Sequence, residues 1–129
     1  MHARYIVSID QGTTSSRCLI FDQRGAVVAS AQKEHRQIYP RPGWVEHDPQ
    51  EIWMRVQEVI VSALPQGGIG VHEIAAVGVA NQRETTVVWN RYTGMPVGNA
   101  IVWQDTRTAE ICKDFAAIGG HDQLRRKTG

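Results

Sequence analysis

The residues best suited to chemistry begin at an aspartate that closes an apolar run. Asp10-Gln11-Gly12-Thr13-Thr14-Ser15-Ser16-Arg17 places one glycine, four consecutive hydroxyl residues and an arginine directly after that carboxylate. Gly12 allows a positive φ or a close backbone approach to a ligand. The N–H groups of residues 12–15 and the hydroxyls of Thr13, Thr14 and Ser15 are then donors for an anion. Arg17 adds a planar cation matched to phosphate oxygens. A carboxylate beside a phosphate cradle repels it unless a cation lies between, so Asp10 is read as a Mg²⁺ partner acting through water. The same composition would also serve a plain hairpin whose polar tip faces solvent. A second candidate is Arg83-Glu84. A guanidinium that donates beside a carboxylate that accepts can hold two neighbouring hydroxyls of a polyol, and an analogue lacking one would leave a charge unpaired. The plain alternative is a surface ion pair.

These groups need elements to hold them. Tyr5 to Ile9 and Arg17 to Phe21 read as strands flanking the polar turn, apolar on both sides, which implies a sheet covered on both faces. Gln23-Arg24-Gly25 is a turn and Ala26 to Ala31 a third strand. The connections are too short for a crossover, so the three strands form an antiparallel meander. Residues 37–49 hold three prolines, a glycine, Tyr39 and Trp44. They read as an ordered loop packed on the core edge rather than as a substrate contact. Asp48 as N-cap, Pro49 at the first helical position and Glu51 three residues after the cap open a helix. It runs to about Leu64 and is stopped by Pro65 and Gly67-Gly68. Ile52, Val56, Val59, Ile60, Ala63 and Leu64 recur at helical spacing, with Trp53 read as core beside them.

A strand from Glu73 or Ile74 to Ala80 follows, expected to be central and parallel to the first. It delivers Asn81-Gln82-Arg83-Glu84 to its carboxyl end, where open α/β sheets bind ligands. Thr85 to Trp89 reads as a strand, residues 90–94 as a turn, and Ile101-Val102-Trp103 as a short strand ending at Gln104-Asp105. A helix capped by Thr106 or Thr108 runs to about Ile118, with Ile111, Cys112, Phe115 and Ile118 inward. Gly119-Gly120 ends it, and His121 to Thr128 reads as a last short helix.

Four runs in this order resemble the glycerol kinase branch of the FGGY carbohydrate kinases. They are residues 10–17, Gln37-Ile38-Tyr39-Pro40-Arg41-Pro42-Gly43-Trp44-Val45-Glu46-His47-Asp48-Pro49, Asn81-Gln82-Arg83-Glu84-Thr85-Thr86, and Ile101-Val102-Trp103-Gln104-Asp105-Thr106-Arg107-Thr108. The resemblance implies a ribonuclease H-like, actin-type ATPase fold: a mixed sheet with the meander followed by β-α-β units. It runs from about Tyr5 to the last residue and implies that residues 1–129 are the front portion of the first of two domains. It implies ATP and Mg²⁺ as cofactors, with Thr13, Thr14, Ser15 and Arg17 on the phosphates and Asp10 on the metal. It implies phosphorylation of glycerol to glycerol 3-phosphate. Arg83 and Glu84 hold the glycerol, Trp103 packs on its carbon side, and Thr13, Arg83 and Glu84 contact the product. Related kinases share the first motif but differ around residues 81–86, which favours glycerol over a pentose, pentulose or gluconate. The general base, the adenine site, the second phosphate loop and a further aromatic wall are expected beyond residue 129. The chain is therefore expected to be inactive alone. A non-catalytic assembly module, pairing with a C-terminal part or with another copy, and a kinase for another sugar are the alternative readings.

The bulk numbers leave this open and narrow little else. One domain is the prior for 129 residues, burying about two-thirds of the unfolded surface. A net charge of +1 gives no reason to invoke nucleic acid or an anionic membrane. Cys18 and Cys112 are read as free buried thiols of a reducing compartment. His2, His35, His47, His72 and His121 show no ligand spacing and read as surface or packing residues. No apolar run approaches the length of a membrane span, and a cytoplasmic location is expected.

Overall fold

A computed structural model describes residues 4–120 and 122–128. Three strands open the chain: β1 (Tyr5–Gln11), β2 (Ser15–Phe21) and β3 (Val27–Glu34). They pair antiparallel in sequence order, Ile9 opposite Cys18 and Cys18 opposite Ala31. After β4 (Glu46–His47) comes helix α1 (Pro49–Gln66), then a 3₁₀ turn at Val71–Glu73 and strand β5 (Ile74–Asn81). β5 lies parallel to β1, with Asp10 opposite Ala80 and Gln11 opposite Asn81. The sheet order is β3-β2-β1-β5, so the meander and one β-α-β crossover make a mixed α/β sheet. β6 (Ala100–Ile101) pairs with β4, and α2 (Ala109–Gly119) and α3 (Arg125–Thr128) follow. The last of these falls within the short helix expected for residues 121–128. His2 and His121 lie outside the described residues.

The core lies between one sheet face and α1. Alternation sends Val7, Ile9, Cys18, Ile20 and Ala29 to that face, where they meet Val59 and Ala63 of the helix and Ile69 beyond it. Burial of each large aliphatic side chain contributes about 1.5–3 kcal/mol. Helix α1 starts where the sequence places it. Asp48 accepts a hydrogen bond from the Gln50 N–H at 2.9 Å, and Pro49 takes the first turn. Glu51 does not reach back to the cap. Its carboxylate takes the Arg36 N–H and the Arg55 guanidinium instead. The helix also runs through Pro65, and Gly68, at φ 60, turns the chain out of it.

Several expectations are corrected. Helix α1 covers one face only; on the other, Ile6 is 50% exposed and Val28 is also exposed. β5 is an edge strand rather than a central one, and its Val77 and Val79 are exposed although they share the helix face with Val7 and Ile9. Residues 85–89 are an irregular ribbon joined by single bridges, Thr86 to Ile101 and Trp89 to Pro96, and the following strand is two residues long. Trp53 is exposed, as are Ile111, Cys112, Phe115 and Ile118 of α2, which has no described partner to pack on. β1 and β2 are longer than expected. The polar turn therefore shrinks to its tip, and Asp10, Gln11, Ser15 and Ser16 become strand residues beside Arg17.

Candidate functional site

At the carboxyl ends of β1 and β5 the chain builds a concave site. Gly12 donates its N–H to the Ser15 carbonyl at 2.9 Å, so that group is committed to the hairpin and is not available to an anion. Its φ is not positive; the constraint is space, since a Cβ would meet the Ser15 carbonyl at 3.3 Å. Thr13, half-buried, and Thr14, exposed, form the tip. Asp10 and Arg17 face each other across the β1–β2 ladder on the bare side of the sheet. The Arg17 Nε donates to Gln32 Oε1 at 3.1 Å, and Gln32 donates in turn to the Ser15 hydroxyl at 2.9 Å.

The chain leaves β5 through Asn81 and Gln82 into Arg83 and Glu84. Gln82 is anchored to β1: its N–H donates to the Gln11 carbonyl at 2.7 Å. Glu84 follows with φ 60, a conformation non-glycine residues adopt at a cost and which clusters at functional sites. A cavity of about 260 Å³ is lined by Thr13, Asn81, Gln82, Arg83, Glu84 and Trp103. Among the described residues neither Arg83 nor Glu84 has an ion-pair or hydrogen-bond partner, so they are not the surface ion pair considered above. Trp103 is 52% exposed rather than core, and its indole N–H donates to Thr13 Oγ1 at 3.0 Å. A larger hollow of about 390 Å³ lies between Trp53, Val87, Trp89 and Pro96. No ionisable side chain lines it, and it offers no group for proton or phosphate chemistry.

The structure thus brings Thr13, Arg83, Glu84 and Trp103 into one cavity. Asp10, Thr14, Ser15 and Arg17 lie outside it, on the tip and the bare sheet face beside it.

The loop of residues 37–49 is ordered and does more than cover an edge. Trp44 lies under two guanidinium groups, Arg107 at 3.7 Å and Arg41 at 4.9 Å from its ring centre. Val45 donates to Asp105 Oδ2 at 2.7 Å, and Arg107 bonds both Asp105 and Glu46. The Arg107 guanidinium, followed by the Arg107 and Val45 N–H groups, holds the Asp105 carboxyl down at about 2. Hydrogen bonds from Arg107, and then Asn99, lower Glu46 as well. This clamp fixes the segment that carries Trp103. Two further side chains were read only as packing or as part of a run. His47 is completely buried, and burial first, then the neighbouring His35, lowers its pKa to about 4. Gln82 bonds Gln11, His47 and Thr85. Side chains buried inside a proline-rich loop carry no periodic signal; the presence of His47 and Gln82 inside the resembling runs was the only trace.

A sheet of this topology, with a polar turn between its first strands and a cavity at the carboxyl end of the parallel one, has the architecture of an actin-type ATPase domain. The profile of the FGGY family of carbohydrate kinases, N-terminal domain, matches residues 5–129, and the chain belongs to that family. It is 65% identical over 127 residues to a glycerol kinase of Chloroflexus aggregans, covering 98% of this chain and 26% of that protein. Among solved structures, a Plasmodium falciparum glycerol kinase with ADP superimposes with a TM-score of 0.86 at 35% identity, covering 99% of this chain and 26% of that one. A xylulose kinase of Lactobacillus acidophilus superimposes with a TM-score of 0.87 at 32% identity, over 100% of this chain and 25% of that one. The chain spans about a quarter of the length of the relatives it matches. No helix among the described residues is long and apolar enough to cross a membrane.

Proposed function

We propose that these residues form the first part of an ATP-dependent glycerol kinase, supplying the phosphate turn and one side of the glycerol pocket. The observation that carries this reading is the shared cavity. Arg83 and Glu84, unpaired with each other, stand with Trp103 around it, and the Trp103 indole is hydrogen-bonded to Thr13 of the polar turn. Arg83 donates to one glycerol hydroxyl and Glu84 accepts from its neighbour, while Trp103 covers the carbon side. Holding two adjacent hydroxyls leaves the third directed toward the phosphate turn, which is the positioning such a transfer needs. After transfer, Thr13, Arg83 and Glu84 retain contact with glycerol 3-phosphate.

The residues present fit a magnesium nucleotide in part. The Thr13 and Thr14 N–H groups find no acceptor among the described residues, and Asp10 is exposed beside them without a partner. Thr13, Thr14, Ser15 and Arg17 would hold phosphate oxygens, and Asp10 would hold Mg²⁺ through water. The bound metal nucleotide supplies the phosphoryl group and charge neutralisation. The acceptor for the hydroxyl proton is assigned to the portion of the kinase beyond residue 129. Glycerol is favoured over other sugars by the identity to glycerol kinases, since the fold alone matches a xylulose kinase as well. A cytoplasmic site of action goes with these substrates.

The test is a chimera in which this chain replaces the matching segment of the Chloroflexus aggregans kinase. Glycerol-dependent ADP formation, lost in Glu84→Ala, is the expected result. A folded chimera that ignores glycerol, or phosphorylates xylulose in preference, would sink the reading.

A further inference from the structure

The polyol side and the phosphate side of the site are joined a second time, through the interior. Starting at Trp103, its backbone N–H donates to Thr85 Oγ1 at 3.3 Å, and the Thr85 hydroxyl donates to Gln82 Oε1 at 2.9 Å. The Gln82 amide nitrogen lies 3.4 Å from His47 Nδ1, and His47 Nε2 lies 2.7 Å from Gln37 Oε1. The Gln37 amide nitrogen then donates to the Thr13 carbonyl at 3.1 Å. The Trp103 indole bond to Thr13 Oγ1 closes the circuit. Six residues from four separate segments thus form one ring of hydrogen bonds, with His47 buried in the middle of it.

The ring has a direction. The Thr13 carbonyl can only accept, so Gln37 must present its NH₂ there and its oxygen to His47. That oxygen requires a hydrogen on His47 Nε2, which leaves Nδ1 as an acceptor. Gln82 must then present its NH₂ to Nδ1 and its oxygen to Thr85, which frees the Thr85 oxygen to accept from Trp103. Thr85, Gln82, His47 and Gln37 each accept from one neighbour and donate to the next, the arrangement in which successive bonds reinforce each other, while Trp103 donates at both ends of the circuit and Thr13 accepts at both. Only the Nε2–H tautomer of His47 keeps it intact.

We propose that His47 is a positioning residue: held as the Nε2–H tautomer, it registers Trp103 of the polyol pocket against Thr13 of the phosphate turn. It touches no reacting group. This inference rests on the glycerol kinase reading for its kinetic consequence, although not for the tautomer.

The experiment uses the same chimera. With ¹⁵N-labelled histidine, the His47 ring should show the Nε2–H pattern at neutral pH. An Nδ1–H pattern, or averaging between the two, overturns the proposal whether or not the protein phosphorylates glycerol. In His47→Phe, which keeps an aromatic ring, of larger volume, and removes both nitrogens, KM for glycerol should rise about tenfold, the scale for losing a partner that orients a contact residue. Thr85→Val cuts the same circuit next to Trp103 without touching the interior, and it should move KM in the same direction if His47→Phe does not fold. A purely structural histidine would lower kcat with the folded fraction and leave KM where it was. Unchanged KM in both variants of an active chimera overturns the inference while leaving the glycerol reading intact.

Discussion

Glu84 concentrates the conflict between stability and function at a single residue. Among the described residues it alone is a non-glycine with a left-handed backbone, at φ 60. That geometry costs about 1 kcal/mol, and a solvent-facing glutamate with no partner gains nothing in the fold to offset it. Glu84→Gly should therefore keep or slightly raise the denaturation midpoint, since relief of strain is offset in part by the extra freedom of glycine in the unfolded chain. Glu84→Ala relieves no strain and should not raise it. In the chimera both should remove measurable glycerol-dependent ADP formation, since the group that accepts a substrate hydroxyl is gone. A midpoint that falls in Glu84→Gly would show that the side chain serves the fold instead. Histidine makes the complementary case. Burial drives His47 from its ordinary 6.5 to about 4, and burial lowers His35 as well. Gln82 faces His47 as a donor, and at His35 burial outweighs the Thr13 carbonyl and Glu51, which favour the protonated ring. A depressed histidine pKa means the unfolded state binds the proton first. Stability is thus complete above about 6.5 and declines as pH falls toward 4. The melting temperature followed from pH 7 to pH 4 should fall through that window, and His47→Phe should flatten part of the decline.

Helix α1 is the element on which the sheet depends, because among the described residues it is the one helix that packs on the face carrying Val7, Ile9, Cys18 and Ile20, with Ile69 beyond its end. Val59 is fully buried there, and Val59→Ala should destabilise the chain by about 2 kcal/mol through lost contact and a residual cavity. Asp48→Ala removes the cap and should cost about 1 kcal/mol. Urea unfolding of the two variants orders the effects, and a smaller loss at Val59 than at Asp48 would contradict this view of the core. That helix, its cap and its buried stripe were readable from spacing alone, as were the meander and the parallel return of β5. What was not readable shares one cause. Apolar residues on Val77, Val79, Trp53 and α2 signal that something packs on them, and the sequence does not say whether that partner lies within these residues. Ser15 and Ser16 were taken for turn residues because hydroxyl residues are weak strand signals, and pairing with Glu34 and Lys33 of β3 overrides that preference. At the site, Thr13, Arg83, Glu84 and Trp103 were legible as a set through resemblance. The interior circuit through Gln37, His47 and Gln82 was not, since it joins segments by contacts that have no sequence period.

Over the whole molecule the unsatisfied quantity is apolar surface. One sheet face is bare around Ile6 and Val28, β5 is an open edge with Val77 and Val79 exposed, and α2 shows Ile111, Phe115 and Ile118 to solvent. An unpaired strand edge beside apolar area favours association. The relatives are about four times as long as the stretch this chain matches, so three-quarters of their length has no counterpart here to cover it. The cavity, moreover, contains the residues that would bind glycerol and one carboxylate among its lining, Glu84, which is already committed to substrate in the proposed site. The 129 residues by themselves should therefore form no ADP from glycerol and Mg·ATP. They should sediment as concentration-dependent oligomers rather than a single monomer. Mixing them with the separately produced remainder of the Chloroflexus aggregans kinase should replace those oligomers by a one-to-one complex and bring glycerol-dependent ADP formation with it, abolished by Glu84→Ala. A complex without turnover would favour the assembly-module reading, because the surfaces would then fit while the site does not. Turnover by the 129 residues alone would place the proton acceptor within them and overturn its assignment to the remainder.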